Sequence, residues 1–209
     1  MIKQSKSTQI GVTIIALTAI ITGFYPVIFA FIPSSRGLFE TKPEELLQSF
    51  WYIPVFMTHI GFGAIAILAG STQFFDKIRI KKPSLHRNLG KIYVACVIPS
   101  GLIGLIVGFY ATGEWYSKLG FIVSALGWLI STIVAYVQIR KINIELHCVW
   151  MMRSFAFCFA FVTFRIYLTL GEVLGLRFYN YYSYLSFLSW IPNLVFIEWR
   201  IKKIKKAST

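Results

Sequence analysis

Six apolar segments, each near the roughly 20 residues that a bilayer-crossing helix needs, recur along this chain of 209 residues. They run over about 10–32, 51–75, 88–111, 119–138, 149–171 and 183–199, separated by polar or charged connections. Only 14% of the residues are charged and 56% are hydrophobic, whereas soluble domains run nearer a quarter charged. In hydrocarbon every backbone N–H and C=O must find a partner within the protein, so segments of this length predict helices. The expectation is an all-α, six-transmembrane-helix bundle, a single membrane-embedded domain over residues 1–209.

The first segment has the basic start of a secretory signal in Lys3 and Lys6. Its apolar run is too long for an h-region and no small-residue cleavage pattern closes it, so it reads as a retained helix. The formal charge of +13 raises the question of nucleic acid, but its distribution answers otherwise. Of the 21 basic residues, sixteen fall on the side that holds both termini and four (Arg36, Lys42, Lys118 and Arg177) on the other, with Arg165 inside a segment. The positive-inside rule then places both termini in the cytoplasm and the protein in the cytoplasmic (inner) membrane. Its partners are membrane lipids, whose anionic headgroups attract the same charges, and not nucleic acid. Cys96 and Cys158 lie within segments and Cys148 at a cytoplasmic helix start, without CxxC spacing, so no disulfide framework is expected.

The longest connection, "PSSRGLFETKPEELLQS", predicts a short interfacial helix over about 42–50, with Thr41 and Glu44 at capping-box spacing and Pro43 in the first turn. Trp51, Tyr52, Trp115, Tyr116 and the tyrosines at 179, 181, 182 and 184 mark the outer headgroup level. Pro26, Pro54, Pro99 and Pro192 are expected to interrupt segments, and no internal repeat is apparent.

Against this apolar background the polar residues fall on stripes. His59, Gly63, Ala66, Gly70 and Gln73 share one helical face; His86, Gly90, Tyr93, Val97, Gly104 and Gly108 share another; His147, Ser154, Cys158, Phe161 and Arg165 a third. Small residues allow close helix packing or leave room for a flat ligand. The chain has only three histidines, and each stripe carries one. His59 and Arg165 are expected in the outer half of the membrane, where a charge costs at least roughly 2.5–3.5 kcal/mol and needs an internal partner. His86, Arg87, His147 and Arg153 form a second, inner group in "KKPSLHRNLGKIY" and "ELHCVWMMR", with Gln73 and Tyr93 adjacent. A helix start and neighbouring arginines both disfavour imidazolium, which keeps the ring lone pair available to a metal or a proton donor.

The order of "HIGFGAIAILAGSTQF", "LHRNLGKIYV", "LHCVWMMRSFAF" and Arg165 in "VTFR" resembles a family of multi-pass membrane proteins catalogued as domain of unknown function 2306. The match spans residues 59–165, roughly half the chain, with Cys148 standing where the family pattern has arginine. The resemblance implies a multi-pass membrane protein and brings no activity with it.

Three functions are weighed. In a haem- or quinone-linked redox protein, His86 and His147 would ligate one b-type haem iron, with Arg87 or Arg153 on its propionates. Alternatively His59 and Arg165 would bind a quinone carbonyl, with Ser124, Trp128 and Ser131 lining the cavity. In a transporter or binding protein for a small anionic or lipid-like molecule, two polar clusters at different depths would form a path, with His59, Arg165, Gln73 and Tyr93 as substrate contacts. Histidine-rich membrane hydroxylases need more than three histidines, and a zinc site from His86, His147 and Cys148 lacks recognised spacing. The redox reading is the leading expectation.

Overall fold

The structure, a computed structural model, describes residues 6–31 and 37–208, all of them helix or connection. Lys3, Arg36 and residues 32–35, which entered the reading of the charges and the first segment, lie outside the described residues. Among the described residues, five stretches are long and apolar enough to cross a membrane: Gln9–Val27, Tyr52–Thr72, Pro83–Phe109, Trp115–Arg140 and Ile144–Val173. The chain divides into two compact units, Met1–Ser100 and Gly101–Thr209.

In the first unit, α1 (Lys6–Gly23) and α2 (Tyr25–Phe31) make up the first apolar segment. They part at Phe24 because Pro26 has no N–H to offer the carbonyl one turn back. α1 packs on α5 (Tyr52–Thr72) through buried Ala16 and Ala19, and Gly23 lies against Leu68, where a Cβ would come 2.8 Å from Leu68 Cδ2. Small residues bring the two axes close. The opposite face of α1, with Ile10, Ile14, Leu17 and Ile21, is exposed, as lipid-facing side chains are.

Two short helices, α3 (Gly37–Glu40) and α4 (Glu44–Gln48), cross the connection. The short helix expected over about 42–50 is α4, and it is shorter than that. Its N-cap is Pro43, without a side-chain cap bond, so Glu44 is the first helical residue, and its carboxylate accepts from Gln48 Nε2 at 2.8 Å. α6 (Asp76–Arg79) follows α5 and is closed by an Arg79–Asp76 ion pair at 2.6 Å. α7 (Pro83–Phe109) then begins, and the boundary between the units falls within it.

The second unit is built on an antiparallel pair, α8 (Trp115–Arg140) and α9 (Ile144–Val173), joined by a buried Thr132–Ser154 hydroxyl contact of 2.6 Å. The sixth apolar segment is not one helix. It is α10 (Phe178–Leu188) followed by α11 (Ile191–Ser208). Pro192 cannot donate to the Leu188 carbonyl, and the backbone instead turns through Ser189 N–H to Leu185 O and Trp190 N–H to Phe187 O. α10 lies on α8, where Gly120 leaves room for the Ser186 side chain. α11 packs antiparallel on α9, and its far end carries Arg200, Lys202, Lys203, Lys205 and Lys206, which do not belong in hydrocarbon.

Of the four prolines expected to interrupt segments, Pro26 and Pro192 do so, each in the first turn of the helix after the break, and Pro54 likewise lies in a first turn, that of α5. A missing N–H costs nothing there, because the first turn has no intrahelical acceptors. Only Pro99 lies inside a helix. The helices also extend beyond the apolar runs. α7 starts at Pro83 and α9 at Ile144, so His86 and His147 are each the fourth residue of a helix. Asn143 starts α9, its side chain accepting from Leu146 N–H at 3.2 Å.

Candidate functional site

The glycine-lined stripe of α5 faces α7. Gly63 stands opposite Ser100, with a Cβ position 3.5 Å from Ser100 Oγ, and Gly90 stands opposite Gln73, 3.6 Å from its Oε1. Two such contacts fix an antiparallel register between the helices. Within it His59 and Ser100 bind reciprocally: His59 Nδ1 lies 2.8 Å from the Ser100 carbonyl oxygen, and Ser100 Oγ donates to the His59 carbonyl at 3.0 Å. Ser100 Oγ also lies 3.3 Å from Nδ1. A carbonyl oxygen only accepts, so Nδ1 carries the proton. The neutral ring therefore holds its lone pair on Nε2, in an orientation locked by two helices. His59 is half-buried and Ser100 fully buried.

At the other end of the same stripe, Gln73 Nε2 donates to Thr72 Oγ1 at 3.1 Å, and its carbonyl faces Gly90 on α7. Tyr93, one turn along α7, is fully buried. His86 is half-buried and Arg87 exposed on the first turns of α7. Gln73 is thus brought beside the α7 stripe that carries His86 and Tyr93. His59 and His86 are far apart, because the 14 residues from Ser100 to His86 span roughly 21 Å of helix. These two histidines do not share one ligand-sized site.

In the second unit, His147 repeats the geometry of His59. Its Nδ1 lies 2.9 Å from the Ala135 carbonyl on α8, which again leaves the lone pair on Nε2. Arg153, expected to hold an anionic cofactor, already holds an anion. Its Nε and an Nη contact the two Glu198 oxygens at 2.6 and 3.1 Å, and its guanidinium lies 4.5 Å from the Trp150 ring. Arg165 lies over Phe161 and Phe164 of its own helix, 5.7 and 5.6 Å from the ring centres. Electron-rich ring faces offset part of the cost of a half-buried guanidinium. Ser131, expected to line a cavity, gives its hydroxyl to the Gly127 carbonyl at 2.6 Å on its own helix. Among the described residues no three His, Cys, Asp or Glu side chains gather to hold a metal ion, and Cys96, Cys148 and Cys158 form no disulfide.

Three partners were missed in the sequence. Ser100 was hidden as one more small polar residue beside a proline, and only the antiparallel register puts it opposite His59. Asn193 joins α9 and α11, donating to the Ala156 and Ser189 carbonyls at 3.2 and 2.9 Å and accepting from Thr163 Oγ1 at 3.2 Å. Glu198 was legible in principle. It is the only acid in the sixth segment, and a charge in a segment needs an opposite one.

The family model described as predicted membrane protein (DUF2306) matches residues 56–201. The chain belongs to this family. The matched stretch contains His59 and Ser100, all of α7 to α10 and the Arg153–Glu198 pair. Neither a curated protein nor a solved structure matches the chain. What is shared is therefore a multi-pass helical membrane architecture, and the family brings no chemistry with it.

Proposed function

We propose that this family member is a redox-linked membrane protein that binds a quinol at His59. The observation that carries this reading is the 2.8 Å bond from His59 Nδ1–H to the Ser100 carbonyl. It commits Nε2 to accept, and a quinol hydroxyl within the membrane is a donor of matching polarity. The sequence expectation paired His59 with a quinone carbonyl. A neutral ring in this tautomer has no second donor for that carbonyl, so the reduced form is the better ligand. Where an external electron acceptor takes the two electrons of the quinol, the same lone pair is placed to take a hydroxyl proton.

A b-type haem remains the second reading because His147 presents the same tautomer, the arrangement usual for a metal-bound imidazole. Within the first unit a two-histidine haem is disfavoured by the separation of His59 from His86. Arg153, offered for a propionate, is committed to Glu198. That pairing also removes the inner anion clamp from the transport alternative. The charge count supports an orientation with both termini in the cytoplasm.

The test uses the purified full chain. His59→Asn keeps an N–H near the Nδ1 position for the Ser100 carbonyl but removes the Nε2 lone pair. We expect this variant to retain its thermal midpoint and to bind a short-chain ubiquinol about tenfold more weakly, the loss of one hydrogen bond of roughly 1.4 kcal/mol. Equal quinol affinity in the two proteins would reject the His59 site. Haem absorption bands that shift on dithionite reduction would replace it with the haem reading.

A further inference from the structure

The second unit gathers basic side chains from two separate parts of the chain at one end. α11 runs antiparallel to α9, with Asn193 against the Ala156 carbonyl and Glu198 against Arg153. The same register carries Lys202 and the lysines after it past the first turns of α9, towards the α8–α9 turn. That turn supplies Arg140 and Lys141, both exposed, as are Lys202, Lys203, Lys205 and Lys206. Two acids stand near, Glu198, which is held by Arg153 and also feels Lys202 and Lys205, and Glu145 in the first turn of α9, and the six cations outnumber them.

Apolar side chains flank the charges. Trp199 is exposed with Lys203 Nζ 5.5 Å from its ring, and Ile204 is exposed on the same final turns. At the turn itself Ile142 is 82% exposed. Cations at phosphate height with an indole and aliphatic side chains beside them are the pattern of a lipid interface. A nucleic acid or an acidic peptide would meet the charges but would leave the isoleucines in water.

We propose that this end of the second unit is a binding surface for anionic phospholipid headgroups, shared between the α8–α9 turn and the last turns of α11. Lysines at this height attract phosphate and carboxylate headgroups through a field that falls off within a Debye length. The isoleucines and Trp199 enter the acyl boundary. The surface is independent of the His59 site and of any redox chemistry.

The full-length protein is reconstituted in phosphatidylcholine vesicles containing a minor share of phosphatidylglycerol, and the association of spin-labelled lipids is measured. We expect a preference for phosphatidylglycerol over phosphatidylcholine of at least about fivefold, one lysine's worth of attraction, falling towards parity in high salt. The quadruple variant Lys202→Gln, Lys203→Gln, Lys205→Gln, Lys206→Gln should lose most of it, while the same four positions changed to Arg should keep it. Arg140→Gln with Lys141→Gln should lose a smaller part. An unchanged preference in the quadruple glutamine variant overturns the proposal, as does its loss in the charge-keeping arginine variant. A turn variant with wild-type preference overturns the shared surface.

Discussion

Ile142 and Gly175 do the same job with different side chains. Each follows the C-cap of a long helix with a left-handed backbone, φ 61° at Ile142 and 68° at Gly175. Each N–H bonds three residues back, Ile142 to Ile139 O and Gly175 to Glu172 O, and the following N–H bonds five back, Asn143 to Gln138 O and Leu176 to Gly171 O. This is the helix-ending motif that favours glycine, and a β-branched residue in it is strained by roughly 1–2 kcal/mol. Ile142→Gly should therefore raise stability by about 0.5–1 kcal/mol, and Gly175→Ala should lower it by about 1 kcal/mol, read from thermal unfolding in detergent. A fall in the midpoint of the Ile142 variant would mean that packing, not backbone strain, governs this turn. The Arg153–Glu198 pair makes a second residue-scale prediction. Its two side chains are partly exposed, which tempers its strength. Glu198→Gln should still cost about 1–2 kcal/mol, with a coupling above about 0.5 kcal/mol when combined with Arg153→Gln. Additive single effects would show that the two charges do not depend on each other.

At the scale of elements, length and apolarity located five of the helices within several residues, because hydrocarbon fixes both. The ends were less legible. Pro83 and Ile144 begin their helices ahead of the apolar run, since a helix in the headgroup region can continue through polar residues with its backbone bonds intact. The sixth segment, expected as one span with an interruption at Pro192, is two helices, because Pro192 cannot continue the backbone bonds and the chain turns at Ser189 and Trp190. α11 is then held to α9 by polar contacts as well as packing. Asn193 uses both amide hydrogens and its carbonyl across Ala156, Ser189 and Thr163. Asn193→Leu preserves volume and removes these three hydrogen bonds, and should cost about 1–3 kcal/mol, given roughly 0.6 kcal/mol for an average hydrogen bond in a membrane protein and more for the strongest. Crosslinking between cysteines introduced on α9 and α11 should become less efficient in that variant. Wild-type stability and crosslinking together would reduce Asn193 to a passive filler.

For the whole molecule, the orientation rests on the distribution of charge, and the protein carries its own probe for it. Cys148 is exposed on the second turn of α9, whereas Cys96 and Cys158 are buried. A membrane-impermeant maleimide should label Cys148 in inside-out vesicles and not in intact cells, and Cys148→Ser should abolish the signal. Labelling from the outside of intact cells would invert the topology and remove the basis for both termini being cytoplasmic. Residues 77–87 and 36–45, tested with introduced cysteines, should report opposite sides in the same experiment.

The sequence by itself determined that this is a helical membrane protein of the family it resembles, because hydropathy over about 20 residues and the order of a few motifs are properties of the chain alone. It also picked out His59, Gly63 and Gln73 as one helical face and His86, Gly90 and Tyr93 as another, since that follows from 100° per residue. Which neighbour each face meets was decided only in three dimensions. Ser100 lies 41 residues from His59 and Glu198 lies 45 from Arg153. Such pairs are set by the register in which whole helices pack, a sum over many small contacts that no local pattern encodes. The tautomer of His59 follows from that register, and with it the polarity of any ligand the ring accepts.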